Sequence, residues 1–101
     1  MIEFIMYYNT QMGGRMERYQ VNGHADDPCV CAAVSAVTQA SYMGLEEIHA
    51  GSITHAWSGC LAVSIDAFNE KSNAILRAME LGMMSLAVKY PQEIWVRKIN
   101  V

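Results

Sequence analysis

A chain of 101 residues is long enough for one modest hydrophobic core and too short for two. Apolar residues make up 52% and charged residues 17%, which excludes a disordered polymer, and a formal charge of −3 argues against a nucleic-acid backbone as partner. No run approaches the ~18 apolar residues of a membrane span, and Met1-Ile2-Glu3-Phe4 lacks the basic stretch of a signal peptide, so a cytoplasmic protein without membrane contact is expected.

Ile2, Phe4, Met6 and Tyr8 alternate with more polar neighbours and predict a half-buried strand. Gly13-Gly14 marks a turn, and residues 16–23 predict a second strand returning antiparallel. Asp27-Pro28 is a cap followed by a first-turn proline, whose missing N–H would lack a helical partner there anyway. Val30, Val34, Val37 and Ser41 then repeat at helical spacing, with Gly44 or Gly51 as the stop. Residues 52–57 and 61–65 flank Ser58-Gly59 as a second hairpin. A second helix is expected over residues 69–90, with Leu76, Met79, Met83, Leu86 and Tyr90 on one stripe and Pro91 ending it; residues 93–101 form a last strand. The expected class is α+β: one domain over residues 1–101, two helices on a mostly antiparallel sheet of about five strands, in the order ββαββαβ.

Chemistry concentrates in the segment from Gly23 to Ser35. It holds His24 at a strand end, Asp26 and Asp27, and two cysteines, Cys29 and Cys31, in or near a helix's opening turn. A helix N-terminus favours a negative sulfur, a nearby imidazole can take and return a proton, and backbone N–H groups of such a turn can hold an oxyanion. These parts suit acyl transfer or peptide hydrolysis. Cys31 lies roughly 100° off the Val30-Val34-Val37 stripe and shares a face with Ser35 and with Thr38 or Gln39, so it is the better nucleophile candidate. Three cysteines are an odd number for a disulfide framework and point to a reducing compartment. The pattern His24-x4-Cys29-x-Cys31, with Cys60 or His55 added, would suit zinc, but zinc pairings normally put two or more residues between cysteines. No metal and no cofactor is therefore expected.

Gly23-His24-Ala25 followed by residues 30–39, Val-Cys-Ala-Ala-Val-Ser-Ala-Val-Thr-Gln, resembles the signature of the Prp family, the bacterial ribosomal-processing cysteine proteases. Glu80-Leu81-Gly82 and Tyr90-Pro91 extend the resemblance along nearly the whole chain. It implies a homodimeric thiol protease that removes a short N-terminal extension from a large-subunit ribosomal protein or, in phage-borne relatives, acts on a capsid or scaffold protein. It implies Cys31 as nucleophile, His24 as general base and acid, and Asp27 and Ser35 as supporting residues. Only six residues separate His24 from Cys31, where the family has a longer glycine-containing loop, and Pro28 stands in place of its aspartate. The alternative from another class is a catalytically silent dimeric adaptor on the same fold, marked by an unreactive thiol.

Overall fold

Ile2, Phe4 and Met6 project from one face of β1 (Ile2–Asn9) and are fully buried, as the alternation predicts. The computed structural model describes residues 1–101, the side chain of residue 12 excepted. The chain reverses through Gly13 and Gly14, both left-handed at φ +76° and +73°, and returns as β2 (Arg15–Gly23), antiparallel to β1. Then follow α1 (Pro28–Glu47), the hairpin β3 (Gly51–Trp57) and β4 (Cys60–Ile65), α2 (Glu70–Lys89) and β5 (Ile94–Asn100). This is the expected ββαββαβ order and α+β class.

The sheet has five strands in the order β3-β4-β2-β1-β5. Its pairs are antiparallel except β1 with β5, which run parallel in the register Phe4 with Val96. The parallel pair needs a crossover, and α2 supplies it. The core joins Phe4, Met6, Tyr19 and Val63 of the sheet to Val34, Leu45, Leu76, Met79 and Met83 of the two helices. Glycines let the helices approach: a Cβ on Gly82 would come 3.4 Å from Val37, and one on Gly44 3.2 Å from Ile75.

That close approach corrects two expectations about α1. Its buried stripe is Val30, Val34, Thr38, Ser41 and Leu45; Val37 is turned aside toward α2, and Thr38 takes the core place. Thr38 Oγ1 donates to the Val34 carbonyl at 2.9 Å, and the Tyr19 hydroxyl donates to the Thr38 carbonyl at 2.9 Å, so no polar atom is stranded. The helix stops at neither glycine. Gly44 is a crossing point inside it, and Gly51 already belongs to β3. Instead His49 adopts φ +56° while its N–H bonds the Glu46 carbonyl at 3.0 Å and the Ala50 N–H bonds the Leu45 carbonyl at 2.8 Å. This paired closure usually places glycine where His49 stands.

In α2, Asn69 and Ser72 cap each other reciprocally. Glu80 of the same helix is buried, yet its carboxylate meets Arg77 at 2.6 Å, Lys98 at 2.8 Å and the Tyr8 hydroxyl at 3.1 Å. Burial alone would raise its pKa; hydrogen bonds from Lys98 and Arg77, the Lys98 charge and the Tyr8 hydroxyl outweigh that and hold it below the usual carboxylate value. The network ties α2 to β1 and β5.

Candidate active site

The site starts from the way α1 begins. Asp27 is extended, its Oδ1 accepts the Cys29 N–H at 2.8 Å, and Pro28 opens the first turn. The Asp27 carbonyl accepts the N–H groups of Val30 and Cys31 at 3.1 and 3.3 Å. The opening-turn donors considered for an oxyanion are thus already engaged.

The segment before the helix is equally constrained. Gly23 ends β2 at φ +91°, and a Cβ there would lie 2.3 Å from the Met1 carbonyl oxygen. Only glycine fits so close a pass. The Gly23 N–H donates to the Gly59 carbonyl at 2.8 Å, which pins the end of β2 to the β3–β4 turn. His24 follows, exposed, with its ring against Gly59. Ala25 then turns back to the helix: its N–H donates to Cys31 Sγ at 3.2 Å, and the Cys31 thiol donates to the Ala25 carbonyl at 3.5 Å.

Cys31 is half-buried and His24 exposed, and both line one cleft of about 410 Å³. Its apolar base includes Ile2, Val21, Val34 and Leu61; Ser35, Gln39, Trp57 and Ser58 border it. The cleft is large enough for a substrate side chain with adjoining backbone. Its polar lining includes the Cys31 thiol, the His24 imidazole and the Ser35 hydroxyl one helical turn along α1, with Gln39, Ser58 and Cys60 besides.

Of the predicted site residues, Cys31, His24 and Ser35 share this cleft. Asp27 is exposed and does not line it; its carboxylate is committed to capping the helix. Among the described residues, the His24 side chain makes no hydrogen bond, so it and Cys31 are cleft neighbours rather than a bonded pair. Cys29 is exposed and does not line the cleft, whereas Cys60, weighed from sequence as a possible zinc ligand and not as part of this site, does. Trp57 and Gly59 also belong to the cleft and were legible only as hairpin residues. Among the described residues, no group of three or more His, Cys, Asp or Glu side chains is placed to hold a metal.

The sequence matches the family model of the cysteine protease Prp over residues 1–95. The chain belongs to that family and is a cysteine protease. No protein among the curated sequences matches it. Solved structures share the fold from end to end. The Staphylococcus aureus ribosomal processing protease Prp with a covalently linked product peptide superposes with TM-score 0.84 at 23% identity, covering 97% of this chain and 99% of that one. The same protease with a substrate peptide gives 0.82 at 22% identity, with the same coverages. SMU.848 from Streptococcus mutans gives 0.79 at 21% identity, covering 100% of this chain and 96% of that one.

Proposed function

We propose that residues 1–101 form one endopeptidase domain that removes a short N-terminal extension from a large-subunit ribosomal protein, with Cys31 as nucleophile and His24 as general base and acid. The observation that carries this reading is the cleft shared by the Cys31 thiol and the His24 imidazole, in a chain of the Prp family. The ribosomal substrate is supported by the relative of the same fold described as a ribosomal processing protease and solved with substrate and product peptides.

In this mechanism His24 takes the thiol proton as the substrate enters, and the thiolate attacks the scissile carbonyl carbon. Catalytic hydrogen bonds often tighten only when substrate is bound, which accounts for the unbonded imidazole of the free enzyme. The Ala25 N–H, already directed at the sulfur, steadies the thiolate. Collapse of the tetrahedral intermediate breaks the C–N bond, and the leaving amine takes the proton from the imidazolium. Water, deprotonated by His24, then hydrolyses the thioester and frees Cys31. Ser35 lines the same cleft one helical turn beyond Cys31. Asp27 acts through the helix, holding the turn that carries Cys31.

The protein works in the cytoplasm, where its thiols stay reduced. It acts as a homodimer: Trp57, Trp95, Met43, Leu81, Met84 and Val88 leave much apolar surface uncovered on an 11.2 kDa chain. A light-scattering mass twice that of the chain agrees with this; a monomer at micromolar concentration contradicts it.

The test of the activity is incubation of the purified protein with the ribosomal precursor and, separately, with a phage capsid or scaffold protein. Cleavage of the ribosomal precursor near its N-terminus, lost in Cys31→Ala, is expected. Cleavage of only the phage protein would reassign the substrate, and no cleavage of either, with an inert thiol, would favour the silent adaptor.

A further inference from the structure

We propose that Gly59, in the β3–β4 turn, is the positioning residue for His24, the part that an orienting carboxylate plays in a three-residue catalytic site. The inference rests on the reading of His24 as the general base. An exposed histidine on a short connection has several staggered side-chain states open to it and needs something to select one. The usual selector is a hydrogen bond to the second ring nitrogen, but among the described residues the His24 ring has none. Of the two nearby carboxylates, Asp27 is occupied by the helix cap, and Asp26 makes no side-chain hydrogen bond among the described residues.

What meets the ring is the bare Cα face of Gly59. A Cβ placed there would fall 2.8 Å from His24 Nε2, 3.4 Å from Cδ2 and 3.5 Å from Cε1. Three ring atoms thus face a surface that exists because residue 59 has no side chain. The Gly23 N–H bond to the Gly59 carbonyl, 2.8 Å long, locks that surface to the residue before His24, so turn and histidine move together. Any side chain at 59 displaces the imidazole, and misplacement of a catalytic group by about 1 Å can cost on the order of 10²-fold in rate.

Gly59 also has φ +78°, so a substitution strains the backbone whatever the ring does. The molecule supplies its own control. Gly14 has φ +73°, and a Cβ there would meet nothing within 4 Å, so Gly14→Ala brings the same strain without the ring contact. Gly59→Asn is the complementary variant, since asparagine tolerates a left-handed backbone but still carries a Cβ.

The experiment measures kcat and KM for precursor cleavage, and melting temperature, in Gly59→Ala, Gly59→Asn, Gly14→Ala, His24→Ala and the Gly59→Ala/His24→Ala double variant. The expected result is a kcat roughly 10- to 100-fold lower in both Gly59 variants with KM little changed. Gly14→Ala should match Gly59→Ala in melting temperature and keep wild-type kcat. Adding Gly59→Ala to His24→Ala should cost nothing further, since the displaced base is already gone. Wild-type kcat in Gly59→Asn, or a full additional loss in the double variant, would overturn the inference. A fully active His24→Ala protein would instead overturn the dyad itself, and this inference with it. An impaired His24→Ala beside an unimpaired Gly59→Ala would overturn the inference alone.

Discussion

The Ala25 N–H donates its hydrogen bond to Cys31 Sγ at 3.2 Å. The residue adjoining the histidine in sequence is therefore also the one that holds the cysteine sulfur. Six residues suffice to join the two side chains because Asp27 and Pro28 start the helix at once and Ala25 folds back onto its first turn. The short loop does not cover the cleft; the β3–β4 hairpin, with Trp57 at its edge, supplies the facing wall.

The cap at Asp27 makes the first prediction. Asp27→Ala removes the acceptor of the Cys29 N–H and should lower stability by about 1 kcal/mol, measured by chemical denaturation. Because the carboxylate neither lines the cleft nor touches His24, cleavage per folded molecule should fall only modestly. Loss of activity with unchanged stability would assign Asp27 a direct part in the chemistry.

The helix end makes the second. His49 stands at φ +56°, where glycine is free of the Cβ conflict that histidine suffers. His49→Gly should raise stability by about 0.5–1 kcal/mol, the relieved strain exceeding the extra chain entropy of glycine. A lowered denaturation midpoint would mean that the His49 side chain makes a compensating contact.

Glu80 makes the third, and its sign follows from the direction of its pKa. The folded state holds this carboxyl below its ordinary 4.5, so its charge pairs contribute stability above about pH 4.5 and lose it as pH falls through the folded value. Glu80→Gln should cost roughly 1–3 kcal/mol at pH 7, where charge-assisted bonds to Lys98 and Arg77 are lost. The difference between wild type and variant should shrink in acid below pH 4.5, because the protonated carboxyl then resembles the amide. A difference independent of pH would locate the loss in packing instead.

How far the sequence could be read divides along physical lines. Both helices and the inner strands were legible because they bury one face, and the periods of Ile2-Phe4-Met6 and Leu76-Met79-Met83 report that directly. The strand β3, exposed along nearly all its length, was legible only through its hairpin turn. The start of α1 was legible because Asp27 and Pro28 act on their immediate neighbours. Its end was not, since His49 breaks the usual preference for glycine and Gly44 serves the crossing with α2. Thr38 displaced Val37 from the core because α1 is buried against both a sheet and a helix, which periodicity averages into one stripe. Cys31, His24 and Ser35 emerged as neighbours because one short segment and one helical face carry them. Trp57, Gly59 and Cys60 reach the same cleft only through the pairing of β2 with β4, a relationship that no local pattern encodes.

The central claim, that Cys31 is the nucleophile of this cleft, is tested most directly by the site of covalent capture. The folded protein is treated with a peptide that ends in an electrophilic ketone and copies the residues before the cleavage point, and the attachment site is mapped by mass spectrometry. Cys29 is exposed and Cys60 lines the same cleft, so both are real competitors on access alone. The expected result is one peptide per chain on Cys31, captured much more slowly in His24→Ala and not at all in Cys31→Ala. Capture at Cys29 or Cys60 in the folded wild type, or undiminished cleavage by Cys31→Ala, would contradict it.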